Sequence, residues 1–418
     1  MRSFKTLRRP GDRSPGFVFD VLTVLAAVLA VYMILALGMG LSLTGHSAYD
    51  SYTLQAMAWR EGKATVDGPS HTWLELAVYD GEYYVSFPPF PSVVMYPLTF
   101  IWGGDTPTLL ISLIMLLLSA ALSFGVMRRA GADPSCAVPF SAAFVIGCSF
   151  FVIMTRGGVW YMAQGMSFVL TTGFFLGIST RSRGRKGSLE MAAALICIAL
   201  AVGCRPFQAV YVPYGLFRLY RRRQESGAPD RKKAFFRTLL SMLPYVIVPL
   251  LIAGAYGWYN MVRFGNPFEF GHNYLPEFTR EGNVQFSLSH WGHNLRNIMR
   301  MPEIADGALK FDMLGPTAIL LTNPLFIVSA AETVKRGIRK SLGADEIILI
   351  VSLFIHFNLL LLHRTLGGMQ FGVRYMADLM PAMLLLIFFR GKRPARLDWL
   401  LMLMGAAFNI YGAVVFYR

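Results

Sequence analysis

Charged side chains are scarce in this chain. Only 15% of its 418 residues are Asp, Glu, Lys or Arg, against about 25% in an ordinary soluble domain. That shortage excludes a typical soluble protein. Disorder is excluded too, because 14% of the residues are aromatic and such side chains drive burial. Cysteine is equally sparse. Cys136, Cys148, Cys197 and Cys204 lie in or beside apolar runs, with no CxxC pair among them. No disulfide framework or zinc site follows, and the four read as small buried hydrophobes. The motifs of soluble catalysis are also missing: no GxxxxGK[ST], no HExxH, no GxSxG, and no GxGxxG after a strand. No internal repeat or pair of matched halves appears.

What the chain has is length of apolar run: 55% of it is hydrophobic. Phe17 to Leu43 would rise about 40 Å as a helix, enough to cross a hydrocarbon core of about 30 Å. It exceeds the apolar core of a cleaved signal peptide, so it reads as a retained first helix. Further runs fall at 106–127, 135–154, 158–180, 188–204, 206–220, 238–258, 313–332, 346–362, 376–390 and 397–416. The expected fold class is therefore an all-α polytopic membrane protein. About 11 transmembrane helices are expected, with two long outer loops carrying juxtamembrane helices.

The net charge is +15, and its placement decides its meaning. Basic clusters at the N-terminus (Arg2, Lys5, Arg8, Arg9, Arg13), Arg128-Arg129, Arg181 to Lys186, Arg218 to Arg237, Lys335 to Lys340 and Arg390 to Arg396 all fall on one side of the alternating spans. This is the positive-inside pattern, not a nucleic-acid surface. It places the N-terminus in the cytoplasm and loops 44–105 and 260–312 outside. Inner loops are too short for a nucleotide-using domain, and long loops on a compact bundle are usually functional. The proline-laced stretch 87–102 reads as a re-entrant or interfacial piece of the first outer loop.

Candidate chemistry therefore lies on the outer face. Asp50 follows the first helix closely. At that depth a carboxylate loses hydration and moves towards the range useful for a base; it equally suits the N-cap of a helix over 51–61. Asp80, Glu82, Tyr83 and Tyr84 combine acceptors for hydroxyls with rings that stack on sugar faces. They also suit a turn followed by an aromatic interfacial anchor. In the segment Tyr259 to His272, Arg263 suits a phosphate or carboxylate, and His272 offers a polar group to a sugar or acceptor; a snorkelling arginine in an aromatic belt is the plainer alternative. Arg374 and Asp378 are spaced to meet on one helical face, either as a phosphate site or as a structural ion pair. Arg156 and Arg205 also fall near outer helix ends. His290 and His293 make half a metal site with no third ligand evident. No metal and no cofactor is expected.

Four stretches, in order, are YDSYTLQAMAWREG, DGEYYVSFPPFPSVVMYPL, YNMVRFGNPFEFGHNY and GGMQFGVRYMADLMP. Together they resemble the GT-C superfamily of integral-membrane glycosyltransferases. The likeness is greatest to family 39 (protein-mannosyltransferase-like) and to lipid-A aminoarabinose-transferase-like members. The resemblance implies a single transmembrane glycosyltransferase-like domain over 1–418. It also implies a sugar donor linked to polyprenyl phosphate, transfer on the outer face of a bacterial plasma membrane, and a glycan, lipid or protein acceptor. Asp50 matches the family's acid in the first outer loop and would be the catalytic base, acting in one inverting displacement. Many relatives carry a second acid there or in the next outer loop; here Ser51 follows Asp50, and 155–158 has none. Polymerases or ligases of lipid-linked glycans, and transporters or flippases, are the alternatives. The last should show ionisable residues at the bilayer midplane, where this chain has little beyond His356.

Overall fold

The computed structural model describes residues 15–68, 75–224, 231–280, 283–305, 308–311, 315–389 and 393–416. The N-terminal basic cluster and parts of the basic stretches near 225–230 and 390–392 lie outside these. In chain order the helices are α1 Pro15–Gly38, α2 Ser51–Arg60, α3 Phe90–Trp102, α4 Thr108–Ala130, α5 Pro134–Ile146, α6 Ser149–Met154, α7 Val159–Ile178, α8 Gly184–Val202, α9 Val212–Gln224, α10 Arg231–Phe264, α11 Leu288–Met299, α12 Ile319–Thr322, α13 Leu325–Ile338, α14 Ala344–Leu361, α15 Met380–Phe388 and α16 Arg396–Val415. A hairpin of β1 (Leu76–Tyr79) and β2 (Glu82–Val85) stands in the first outer loop. A second hairpin, β3 (Glu303–Ala305) and β4 (Ala308–Lys310), stands in the other.

Among the described residues, six helices are long and apolar enough to cross a membrane: α1, α4, α7, α14, α16 and most of α10. Their surroundings differ. In the apolar window of α7, 72% of residues are buried; in that of α10, 11% are. α7 therefore packs inside the bundle, against α4 and α8. α10 shows Leu239, Leu240, Leu243, Ile247, Leu250 and Leu251 on its open side, as a lipid-facing helix does.

Several of the expected runs are not continuous helices. Run 135–154 divides into α5 and α6 at Gly147, where a Cβ would lie 2.9 Å from the Met402 carbonyl oxygen of α16. Run 206–220 begins as a 3-10 turn, Pro206–Tyr211, before α9. Run 313–332 breaks at Asn323-Pro324, between α12 and α13. Run 376–390 begins in another 3-10 turn, Arg374–Leu379, before α15. A broken helix in hydrocarbon leaves backbone groups that water does not reach, so the protein must satisfy them. Here buried amide side chains do so. Asn323 Oδ1 accepts from the Ser149 backbone N (3.1 Å) and Oγ (2.9 Å). Asn409 Nδ2 donates to Thr322 O (2.9 Å), Gln208 Nε2 to Asp378 O (3.3 Å) and Gln164 Nε2 to Arg374 O (3.2 Å).

The described parts of the two long loops are built, not slack. α3 is 13 residues long, about 20 Å, which is too short to span. α2 is tied to both neighbours through Gln55. Its Nε2 donates to Tyr259 Oη (3.0 Å), while its Oε1 accepts from Ser92 Oγ (2.7 Å). α11 docks on the end of α14: Asn294 Nδ2 donates to the carbonyls of Leu361 (2.8 Å) and His363 (2.7 Å), satisfying groups that a helix C-terminus leaves open.

At the opposite end, Arg336 performs the same task with charge. Its guanidinium meets Glu346 (2.7 Å) and Glu332 (3.1 Å) and donates to the carbonyls of Leu386, Ile387 and Phe389 at the end of α15. Removing one member of a buried pair leaves the other uncompensated, at about 3–5 kcal/mol. Arg336→Ala should therefore lower the thermal midpoint of the purified protein sharply, and Arg336→Lys by less. An unchanged midpoint for Arg336→Ala would remove this cluster from the account of stability.

Candidate active site

The first outer segment is pinned before it reaches α2. Ser47 N donates to Thr108 Oγ1 (3.0 Å), and Val159 N to Tyr49 O (2.8 Å). Residues 46–49 are thereby held against the starts of α4 and α7, where they form one wall of a cavity of about 1320 Å³. The start of α7 contributes Trp160 and Tyr161. The segment after α8 contributes Cys204, Arg205 and Phe207. Loop 366–375 contributes Gly367, Gly368, Met369, Arg374 and Tyr375, and loop 268–286 closes the outer side.

Three of the four expected arginines meet in this cavity: Arg156, Arg205 and Arg374. Arg374 is buried. Its Nε donates to Gly368 O and its Nη1 to Gln164 Oε1, both at 3.1 Å, which uses two of five donors. The loop before it must turn tightly. Gly372 has φ +73, and a Cβ there would meet Thr322 at 2.5 Å. The Tyr375 ring lies under two guanidiniums, 4.4 Å from Arg205 and 4.9 Å from Arg374. Arg156 stacks on Phe416 at 3.6 Å.

Asp378 does not pair with Arg374 as expected. It accepts from Arg205 Nε at 2.9 Å, is buried, and is not part of the cavity wall. The cause is local geometry. Residues 374–379 form a 3-10 turn, with three residues per turn, so positions i and i+4 do not share a face. Arg263 is also misplaced by the sequence reading. α10 runs on to Phe264, so Arg263 sits on its last turn, not in a loop. It is 2% exposed, donates to Val85 O (2.8 Å) and Asn260 Oδ1 (2.9 Å), and joins α10 to β2 outside the cavity.

The group Asp80, Glu82, Tyr83 and Tyr84 lies outside the cavity as well. Asp80 (φ 51) and Gly81 (φ 82) make the hairpin turn, and Tyr84 packs on Phe264. Strands of four residues put this turn about 13 Å from the hairpin's open end. It is the open end, with Glu75 and Ser86, that lines the cavity.

Asp50 caps α2, accepting from Thr53 N (3.1 Å) and from the Thr53 hydroxyl. Burial raises its pKa above the usual carboxylate range, against the lowering effect of those bonds. It stands one residue behind the cavity wall, with Oδ2 3.9 Å from His46 Nδ1. His46 reaches the cavity and bonds Thr106 O through Nδ1 at 2.9 Å. A carbonyl only accepts, so Nδ1 carries the hydrogen and Nε2 the lone pair of the neutral ring.

His272 does line the cavity. Burial lowers it to about 4, so it is neutral at ordinary pH. His363, 5.9 Å away between ring centroids, is driven down by burial too. With Phe278 and Phe286 the two imidazoles make an uncharged aromatic wall. Glu75, Glu277, His46, His363 and Trp160 are cavity residues that the sequence reading did not select. His46 had a usable signal, standing four residues before Asp50; the others had none. His290 and His293 bond elsewhere, to Val284 O and Asn297. Among the described residues no group of three or more His, Cys, Asp or Glu gathers around a metal-sized point.

No family model matches the chain, and no curated protein matches it. Solved structures do. ArnT from Cupriavidus metallidurans, bound to undecaprenyl phosphate, superposes with a TM-score of 0.52 at 16% identity, covering 94% of this chain and 63% of that one. The Archaeoglobus fulgidus oligosaccharyltransferase AglB, in complex with an inhibitory peptide and a dolichol-phosphate, gives 0.54 at 14%, covering 97% and 56%. This chain thus spans less than two thirds of the length of these structures. The helical architecture, its apolar spans and these superpositions agree: the chain is a multi-pass membrane protein that shares the fold of these two structures.

Proposed function

We propose that this protein transfers a sugar from a polyprenyl-phosphate-linked donor to an acceptor hydroxyl, in the cavity and on the outer face of the bacterial plasma membrane. The observation that carries this reading is the pair of guanidiniums around Tyr375. Two like charges on one ring repel, and only Arg205 has a carboxylate, Asp378, bonded to it. An anion at this point would relieve the repulsion, and a phosphate suits guanidinium geometry. The cavity also exceeds the roughly 300–1,000 Å³ of a single small-ligand site, which leaves room for two substrates. Both structural neighbours are solved with lipid phosphates, in keeping with this reading.

In the proposed mechanism the arginines hold the phosphate and stabilise its charge as it leaves. The acceptor hydroxyl attacks the anomeric carbon in one inverting displacement. Asp50 drives removal of its proton: His46, a cavity residue, takes the proton on Nε2, and the Asp50 carboxylate stabilises the imidazolium. No metal or cofactor takes part in these steps. The site contains both a lipid-phosphate anchor and a proton acceptor; a flippase would need only the first.

Binding of undecaprenyl phosphate to the detergent-purified protein tests the anchor. Arg374→Ala should weaken it by about 30-fold or more, the equivalent of at least about 2 kcal/mol for a desolvated charge pair. Arg374→Lys should retain part of it. Wild-type affinity in Arg374→Ala would reduce Arg374 to a structural role.

Asp50→Asn separates capping from chemistry, since Asn caps a helix as well as Asp does. The variant should keep wild-type thermal stability and lipid binding while transfer falls by roughly 100-fold or more. Near-normal transfer would remove Asp50 from the mechanism.

Sidedness is testable in whole cells after replacing the four native cysteines. A cysteine introduced at Thr279, on the proposed outer face, should react with an impermeant thiol reagent, whereas one at Lys340 should not. The reverse pattern would invert the orientation and put the cavity on the wrong face.

A further inference from the structure

Glu75 immediately precedes β1, and its place is set by the open end of the hairpin. Leu76 pairs with Val85, and Ser86 Oγ donates to the Glu75 carbonyl at 2.7 Å. Leu76 and Ala77 are both buried, and Glu75, just before them, lies at the cavity wall. Its carboxylate accepts a hydrogen bond from the side chain of Trp160 on α7. The indole has one donor, so this bond orients the carboxylate and occupies only part of its acceptor capacity. The charged groups that act on it are Arg374, from the 374–379 turn, and Glu277, from the second outer loop.

A partly buried acid beside a phosphate-directed arginine has a specific consequence. Once a phosphate sits on Arg374, that cation no longer compensates Glu75 fully. The next groups on the ligand must then supply hydrogen-bond donors. In a phosphate-linked sugar, the groups beside the phosphate are ring hydroxyls. We infer that Glu75 is a donor-binding carboxylate that accepts hydrogen bonds from hydroxyls of the sugar whose phosphate Arg374 holds. This rests on the proposed function and extends it, because it gives the cavity a way to distinguish a sugar-bearing lipid from the bare lipid phosphate. Glu75 here is a specificity residue, separate from the proton removal assigned to Asp50 and His46.

The position also sets a pH dependence. Burial raises the Glu75 carboxyl to about 7, with Trp160 and Arg374 pulling it down and Glu277 pushing it up. The accepting form is the carboxylate, so preference for the sugar-bearing lipid should grow as pH rises through about 7. It should fade below, where the acid is protonated.

The test compares two probes on detergent-purified full-length protein, undecaprenyl phosphate and a panel of undecaprenyl-phosphate-linked hexoses and pentoses, between pH 6 and 8. Hydrogen bonds to a charged group are worth about 1.5–3 kcal/mol, or roughly 10-fold or more in Kd. Glu75→Gln should lose about that much affinity for the preferred sugar-bearing lipid. It should bind the bare lipid at least as tightly as wild type, because a negative charge beside Arg374 is gone, and show no pH-dependent preference. Trp160 supplies a second readout: the change in tryptophan fluorescence near pH 7 should disappear in Glu75→Gln. If Glu75→Gln keeps both the preference and its pH dependence, the inference is wrong while the proposed function stands. If it loses bare-lipid binding as well, Glu75 is structural and the inference also fails. If the wild-type protein prefers none of the sugar-bearing lipids, the inference falls; if it binds neither probe, the proposed function falls with it.

Discussion

The ion pair between Arg205 and Asp378 holds the cavity end of the bundle together. Arg205 follows α8, and Asp378 lies in the 3-10 turn that leads into α15. The pair joins two broken helices where neither has its own backbone partners to spare. Gln208 reinforces it from the first side through Asp378 O, and Gln164 reaches the same turn from α7 through Arg374 O. Buried charge is expensive unless paired and hydrogen-bonded; here it is both. The arrangement fixes Tyr375, and Tyr375 fixes where two guanidiniums face the cavity. Irregular backbone at this depth is tolerable only where protein or a water-filled cavity surrounds it, and these breaks border the cavity.

The bundle and the cavity divide the labour. α4 and α7 give a rigid interior, while α10 faces lipid along most of its length. The long loop segments rest on this frame through polar contacts, among them Gln55 to Tyr259, Asn294 to the end of α14 and Arg263 to Val85. Each such contact terminates or joins an element. The cavity walls then combine three arginines, three carboxylates (Glu75, Glu269 and Glu277), three imidazoles and several rings, so a ligand would meet both charge signs and apolar faces.

Much of this was legible in the sequence, for identifiable reasons. Apolar run length and basic-cluster placement reveal membrane helices because the bilayer imposes both. Arg156, Arg205 and Arg374, each near a helix end in the sequence reading, do line one cavity, whereas Arg263, also at a helix end, is tied into the fold. The errors share one cause: inference from linear spacing. Arg374 and Asp378 are four apart, yet a 3-10 turn separates them. Asp80 and Glu82 look like a sugar site, yet a tight hairpin turn carries them away from the cavity and brings Glu75 and Ser86 to it instead. Arg263 looked like a loop residue because the apolar run ends near 258, whereas hydrogen bonding carries α10 six residues further. Four expected spans are broken by residues such as Pro206 and Asn323-Pro324, whose compensating amides come from distant elements. No local pattern reveals a partner 87 to 210 residues away.

The central claim is that the cavity cleaves the bond between a sugar and a lipid phosphate. The direct measurement is release of polyprenyl phosphate from a panel of polyprenyl-phosphate-linked sugars by the purified protein, with and without extracts that supply acceptors. The account expects release from at least one donor, dependent on acceptor and abolished with Arg374→Ala. No release from any donor, by protein that binds the same lipids tightly, would contradict transfer and favour a carrier of lipid-linked sugars.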